Sequence, residues 1–181
     1  MDEMRKWPAL HNLSQIGYFH NNLRVCLRQA LAATEIDGST SVAPDKALIH
    51  YYDSLLRINT FLMLYLHTEE WLDILIKKYL PHITINRGGS ITRYKSAIRD
   101  GFGIGVSGGS WHMLTDCEKL RNCLLHANGR IDLMENESEI RQIAKRRGID
   151  VKLDRLQVTS NFLATFAKEV DAFINELQNR A

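Results

Sequence analysis

The chain has 181 residues, of which 45% are hydrophobic and 24% are charged, and its formal net charge is +2. The length fits one domain, residues 1–181, and the small net charge excludes nucleic-acid binding driven by overall charge. Three cysteines without ligand-like spacing indicate a reducing compartment. The charged first residues are unlike a signal peptide and the most apolar run is too short to span a membrane, so we expect a cytoplasmic protein with no membrane partner.

Two long helical segments are predicted in the first half of the chain. Leu10 to Thr34 places apolar residues approximately on one face and is predicted as the first helix. The polar residues 35–45, which include Gly38 and Pro44, predict a loop. From Asp45 to His67 the sequence is apolar on more than one side, which predicts the central helix of a bundle.

The segments that follow are shorter. Thr68 resembles a helix N-cap, so Glu69 to Leu80 is either a third helix or a kinked continuation of the second. Ile91 to Asp100 is predicted as a short basic helix that ends at Gly101. Residues 103–108, GIGVSG, match the dinucleotide-binding fingerprint in letters. The residues before them predict a helix instead of the required strand, which favours a loop beside the next helix.

The most informative stretch runs from Ser110 to Arg130, SWHMLTDCEKLRNCLLHANGR, and predicts one amphipathic helix. Ser110 is its predicted N-cap and Gly129 its predicted stop. Apolar residues recur at three- and four-residue spacing: Leu114, Cys117, Leu120 and Leu124. Arg121 stands among them, which is unusual because arginine is rarely fully buried without a partner.

A short helix, a hairpin and a final helix complete the prediction. Asn136 with Glu139 resembles a capping box at the start of the short helix. Alternating apolar and polar residues predict a small β-hairpin at about 149–158. Thr159 is the predicted cap of a terminal helix at about 159–179, whose apolar residues are predicted to share one face: Phe162, Phe166, Val170, Phe173, Ile174 and Leu177. These patterns together predict an all-α helical bundle with a small β-hairpin near the C-terminus.

Arg121, Asn122 and His126 form the candidate catalytic set. Cleaving RNA without metal requires a group that deprotonates the ribose 2′-hydroxyl and a group that protonates the leaving 5′-oxygen. Histidine suits both transfers, and arginine supplies a fixed positive charge for the phosphate. Asn122 and His126 are four residues apart, so the amide is predicted to orient the imidazole. The structural alternative is a salt-bridged arginine and a hydrogen-bonded histidine at a helix end.

The pattern R-N-x-x-x-H, late in a capped helix, resembles the signature of the HEPN superfamily, whose small helical domains include many RNA-cleaving toxins and phage-defence nucleases. The segment Gly148–Ile174 resembles the hairpin and terminal helix of some plasmid-borne members. The resemblance implies a metal-independent endoribonuclease without cofactor that leaves a 2′,3′-cyclic phosphate. It also implies a homodimer with the active cleft on its two-fold axis, and an antitoxin or defence-system partner.

One departure from the family concerns neutralisation. In the toxin branch that is silenced by AMP transfer, a tyrosine stands two residues after the histidine. The residue at that position here is Asn128. Neutralisation by AMP transfer at this position is therefore not supported.

Basic residues near the motif are predicted to contact the RNA backbone. The candidates are Lys119 and Arg130, which flank the motif, and Arg93, Lys95 and Arg99, which form a cluster with Arg87; a second cluster comprises Arg141, Lys145, Arg146 and Arg147. The alternative for such clusters is a solvated helix face. The histidines and cysteines show no metal-ligand spacing. Two other functions stay open: a HEPN-like helical module that binds RNA, nucleotide or protein without cutting, and a structural dimerisation domain.

Overall fold

The computed structural model describes residues 3–36, 46–85, 90–106 and 109–180, and most of them are helical. The helices are α1 (Glu3–Ile36), α2 (Lys46–Tyr79), α3 (Gly109–His126), α4 (Glu137–Arg147) and α5 (Ser160–Arg180). Two short strands, β1 (Asp150–Lys152) and β2 (Arg155–Gln157), pair antiparallel. The predicted all-α bundle with a small hairpin near the C-terminus is confirmed. None of the described helices combines the length and apolar character that crossing a membrane requires.

The centre of the bundle is α2, as its apolar sides predict. It packs against α1, α3 and α5. The Phe61 side chain is completely buried, and its ring centroid lies 5.3 Å from that of Phe162 and 5.4 Å from that of Phe166, both on α5. Burial of aromatic rings is the largest apolar contribution that single side chains make to a core.

Of the two alternatives for Glu69 to Leu80, the continuation of the second helix is confirmed, because α2 runs through Thr68 to Tyr79, and the separate third helix is wrong. The Thr68 side chain is fully buried, and its hydroxyl donates a hydrogen bond of 2.8 Å to the Leu64 carbonyl. A threonine whose hydroxyl donates to a carbonyl of the preceding turn lies inside a helix and does not act as an N-cap. Of the predicted loop, residues 37–45 lie outside the described residues, and the two before them belong to α1.

The predicted basic helix before Gly101 forms helical turns of two other kinds. A 3-10 turn covers Ile91–Tyr94, and a π turn covers Ala97–Gly101. Gly101 ends the segment as predicted, and its backbone lies against Leu80. A Cβ atom at this position would stand 2.2 Å from Leu80 Cδ1, so a larger residue would displace that side chain.

The motif helix α3 ends at His126, three residues before the predicted stop at Gly129 and four before Arg130. Asn128, with φ of 51°, occupies the left-handed position after the helix, and the Gly129 N–H donates to the Cys123 carbonyl at 3.0 Å. Arg130 lies outside the helix and forms a β-bridge with Arg155.

The predicted N-cap of α3 is also wrong. Ser110 lies inside α3, which begins at Gly109, and its hydroxyl donates to Glu169 Oε2 of α5 at 3.0 Å. This bond joins two helices, and a pattern of neighbouring residues contains no sign of it.

The two remaining caps have different outcomes. Asn136 precedes α4 but makes no side-chain cap, since its amide donates to Glu139 Oε2 at 3.1 Å, so the predicted capping box is wrong. Thr159 Oγ1 accepts a hydrogen bond from the Phe162 N–H at 3.1 Å, so the predicted cap of α5 is confirmed. The predicted apolar face of α5 is buried: Phe162, Phe166, Val170, Phe173, Ile174 and Leu177.

Candidate active site

Arg121 lies in the second half of α3 and extends over a residue of α2. Its Cζ atom is 5.5 Å from the ring centroid of Tyr65, close enough for a cation–π contact. The half-buried guanidinium donates from Nη1 to Asn122 Oδ1 at 3.1 Å. No carboxylate of the described residues forms an ion pair with it. Arg121 is therefore held by an aromatic ring and a neutral amide, and its charge is not neutralised by contact.

Other arginines of the described chain differ from Arg121 in this respect. Arg57 pairs with Asp53, Arg99 with Asp100, Arg130 with Asp132, Arg141 with Glu137 and Asp154, and both Arg146 and Arg147 with Asp116. A guanidinium offers five N–H donors in a planar fork that matches a carboxylate or a phosphate. Arg121 therefore keeps the capacity to bind an anion that the paired arginines have already used.

Two acidic residues surround Arg121 without pairing with it. Glu69, one turn after Tyr65 on α2, is half-buried; burial raises the pKa of its carboxyl, and the positive charges of Arg121 and Arg93 lower it only in part. Glu118 is buried on α3, and its Oε1 accepts the backbone N–H of Ile91 at 3.1 Å. The site thus combines the positive charge of Arg121 with the carboxyl groups of Glu69 and Glu118, which lie near it without direct ion pairing.

Tyr65 of α2 combines a buried ring with a polar group. Its ring is completely buried, and its hydroxyl has no hydrogen-bond partner among the described residues. Burial, and then the charges of Glu118 and Glu69, raise the pKa of this phenol, so it stays protonated. A buried hydroxyl without a partner is uncommon in folded proteins, so the hydrogen bonding on this side of Arg121 is incomplete among the described residues.

The sequence patterns did not predict that Tyr65, Glu69 and Glu118 lie around Arg121. Tyr65 and Glu69 are four residues apart on α2 and therefore share a face of that helix. This spacing was the sequence signal that could have grouped them. Interpreting Thr68 as a cap concealed it, since Glu69 then became an ordinary first-turn charge. Glu118 lies one turn before Asn122 on α3, and this spacing could have grouped it with the motif residues.

His126 is the last residue of α3. Its side chain is exposed and has no hydrogen-bond or ion-pair partner in the described part of the chain. Asn122, the predicted orienting residue, accepts from Arg121 and makes no hydrogen bond to His126. The amide therefore fixes the arginine in this structure.

The helix separates Arg121 from His126. Five residues correspond to about 140° around the axis and about 7.5 Å along it. Arg121 consequently extends toward α2 while His126 extends into solvent at the end of α3. A single α3 presents the two side chains poorly to one phosphate.

The basic residues predicted to contact RNA are largely paired. Lys119 forms an ion pair with Glu139 of α4, and Arg99 Nε lies 2.6 Å from Asp100 Oδ1. Arg130 Nε donates to Asp132 Oδ1 at 3.1 Å. Arg93 is half-buried over the Tyr94 ring and donates to the Tyr94 hydroxyl, Lys95 is exposed, and Arg87 lies outside the described residues. Much of the predicted basic surface is therefore already neutralised by neighbouring carboxylates.

The other candidate motifs do not contribute to the site. The residues before the dinucleotide-like pattern form the 3-10 and π turns instead of a strand, and Phe102 and Ile104 fix the start of the loop by their burial. Burial raises the pKa of the Cys123 thiol to about 11, which leaves it neutral. Among the described residues, no three His, Cys, Asp or Glu side chains are grouped as metal ligands.

Comparisons of the chain with protein-family models, with curated proteins and with solved structures find no significant match. The site is therefore described by its own residues. They are a half-buried guanidinium on α3 without a carboxylate partner among the described residues, an exposed imidazole at the end of the same helix, and a neutral amide between them in sequence.

Proposed function

We propose that the protein is a metal-independent endoribonuclease of HEPN type that cleaves RNA through the ribose 2′-hydroxyl. The observation that carries the proposal is the state of Arg121: half-buried on Tyr65, fixed by Asn122, and without a carboxylate partner among the described residues. A guanidinium in this state binds phosphate oxygens with its unused N–H groups. The exposed His126, in the last turn of the same helix, supplies a group for proton transfer.

The reaction needs two proton transfers around one displacement. An imidazole takes the proton of the 2′-hydroxyl, the 2′-oxygen forms a bond to phosphorus, and the bond from phosphorus to the 5′-oxygen breaks. A protonated imidazole gives a proton to the departing 5′-oxygen. The products are a 2′,3′-cyclic phosphate and a 5′-hydroxyl. Arg121 stabilises the charge that accumulates on the non-bridging oxygens in the transition state.

Two copies of the chain would bring the required groups together. In an isologous interface each contact occurs twice, so two α3 helices across a two-fold axis place one Arg121 and one His126 from each copy at a shared cleft. Leu125, between the two residues, is 49% exposed. An exposed apolar side chain at this position is what a second copy would cover. We therefore propose a homodimer with a composite site.

The test is complementation between two inactive variants. Arg121→Ala and His126→Ala proteins, each unable to cut a short unstructured RNA alone, are mixed under conditions that allow subunits to exchange, with EDTA present throughout. Recovery of cleavage supports a shared, metal-independent site. A monomeric wild type that cuts at nanomolar concentration contradicts the composite site, and cleavage by His126→Ala at the wild-type rate assigns the activity to a contaminant.

The ion pairs of the basic residues favour a second candidate function, a HEPN-like module that binds without cutting. Lys119, Arg99 and Arg130 each have a carboxylate partner, which leaves little free charge to follow a long RNA backbone. A wild type that binds RNA or a nucleotide through Arg121 but never cuts would establish this function. The toxin or phage-defence role is proposed from the family resemblance alone.

A further inference from the structure

A cavity of about 200 Å³ lies between α1, α2 and α5. Thr60 is one of the α2 residues that line it, and Thr60 and Tyr65 are five residues apart, so they face directions about 140° apart on that helix. The cavity is therefore separate from the surroundings of Arg121. An apolar protein cavity of about 150 Å³ accommodates benzene. A space of this size accommodates a six-membered ring with one small polar group.

One end of the cavity contains a neutral histidine with a defined proton. Thr60 Oγ1 donates to the Leu56 carbonyl at 2.8 Å, so its oxygen accepts from His20 Nδ1, which is 2.8 Å away. His20 is only 7% exposed; burial and then the charge of Arg24 lower its pKa, so its ring is neutral at neutral pH. With the proton on Nδ1, Nε2 is a hydrogen-bond acceptor.

The same end carries an excess of positive charge. Arg24 and Arg57 share the single carboxylate of Asp53: Arg24 Nε lies 3.3 Å from Asp53 Oδ1, and Arg57 pairs with the other oxygen. Arg57 also donates from Nε to the Val158 carbonyl at 2.7 Å, whereas Arg24 Nε is buried without a hydrogen bond among the described residues. Since Arg24 lines the cavity, a bound anion would complete its partners.

Apart from Asn21 and Ser160, the rest of the lining is apolar. Ile16 of α1 and Leu163 of α5 contribute aliphatic walls, and the small residues Ala164 and Gly17 leave room between them. A Cβ atom added at Gly17 would meet nothing within 4 Å. We propose that this cavity binds a small carboxylate with a compact apolar body, of the size of benzoate, with the carboxylate on Arg24 and the ring between α1 and α5. A ring hydroxyl would donate to His20 Nε2.

The test uses benzoate and salicylate as probes and benzyl alcohol as the uncharged control. We expect both acids to raise the Tm with half-saturation at or below about 5 mM, as befits ligands of nine or ten non-hydrogen atoms. We also expect them to shift the ring resonances of His20. Benzyl alcohol should have less than about a fifth of the effect on Tm, because it cannot pair with Arg24.

Three variants locate the effect. Gly17→Ala adds one methyl group to a helix position and should keep the response to benzoate, whereas Gly17→Leu fills the space and should remove it; both changes favour a helix, so the folded state is retained. Arg24→Gln should abolish the difference between benzoate and benzyl alcohol. The proposal fails if 20 mM benzoate leaves the wild-type Tm unchanged, if benzyl alcohol acts as strongly as benzoate, or if Gly17→Leu responds like the wild type.

Discussion

Two clusters of arginine and carboxyl side chains include residues of α3 that lie five positions apart, Asp116 and Arg121. The two clusters differ in whether the carboxyl accepts hydrogen bonds from the arginine. Asp116, which is 5% exposed, accepts from the Nε atoms of Arg146 and Arg147 at 2.8 and 2.7 Å. Arg121, one and a half turns later, has an aromatic ring and an amide as neighbours, and no carboxylate among the described residues contacts it. The first group, the Asp116 cluster, is complete in the sense that its arginines are paired with a carboxylate. The second, the Arg121 cluster, is incomplete because its arginine has no such partner among the described residues.

The pKa values of the carboxyls record this difference. Burial raises the pKa of Asp116, but the hydrogen bonds from Arg146 and Arg147 more than reverse that effect, and the result lies below the ordinary value. Burial also raises the pKa of Glu69, and Arg121 acts on it only through distance, so the result lies above the ordinary value. A complete cluster joins α4 to α3, whereas an incomplete one leaves donors available to a ligand.

The largest effect should come from Arg121→Lys. Lysine keeps the charge but loses the planar fork, so we expect the rate of RNA cleavage to fall by about 10²–10³-fold, while RNA binding weakens less. The Tm should change little, because Arg121 has no ion pair to lose within the part of the chain that the structure describes. Single-turnover cleavage, binding and thermal unfolding of the same preparation measure the three quantities.

The matched control for this change is Arg146→Lys in the complete cluster. Arg146 is ion-paired on the surface between α3 and α4, so its replacement should leave cleavage at the wild-type rate. Cleavage by Arg121→Lys that also matches the wild type would show that Arg121 is a structural residue.

Asp116→Asn should have the next largest effect, on stability. It leaves two guanidinium groups without their carboxylate, and we expect the free energy of unfolding to fall by about 1–3 kcal/mol. The lower part of that range applies if Arg146, which is half exposed, becomes hydrated. Urea unfolding measures the change, with Asp132→Asn as the control because the carboxylate of Asp132 pairs with Arg130 near the surface. Equal losses in the two variants would contradict the special role of Asp116.

Local patterns in the sequence predicted the parts of the fold that depend on neighbouring residues. The apolar period of α5, its Thr159 cap and the alternation of the hairpin all depend on side chains a few positions apart, and each is confirmed. The end of α3 was misplaced because Asn128 adopts the left-handed conformation before Gly129. Either residue type is suited to that position, and the sequence alone does not select between them.

Long-range contacts account for what could not be predicted. Tyr65 and Arg121 are 56 positions apart, and Asp116 and Arg146 are 30 apart, so no periodicity relates them. The motif identified Arg121 and His126, but the absence of a carboxylate beside Arg121 depends on how α2 and α3 pack. The same packing decides that Lys119 is ion-paired to α4.

The stabilisation by Asp116 should disappear at acid pH. Its pKa in the folded state lies below its ordinary value of 3.8, so the contribution is fully present above that value and is lost as the pH falls through the folded-state pKa. We therefore expect the difference in unfolding free energy between wild type and Asp116→Asn to be constant from pH 7 to about pH 5, and to shrink below pH 4. Urea midpoints measured across this range test it. A difference that grows on acidification would contradict the hydrogen-bonded carboxylate.

Glu69→Gln should have the smallest effect and the opposite sign. The folded-state pKa of Glu69 lies above its ordinary value of 4.5, so the folded protein binds this proton more readily than the unfolded chain. Ionised Glu69 consequently destabilises the fold at neutral pH, and this penalty disappears as the pH falls below 4.5. A neutral amide of the same shape should therefore raise the free energy of unfolding at pH 7, by less than about 1 kcal/mol because the side chain is half-buried, and the gain should vanish at pH 4. Urea unfolding at the two pH values measures it. A loss of stability at pH 7 would mean that Glu69 and Arg121 form a direct ion pair, and the Arg121 cluster would then be as complete as that of Asp116.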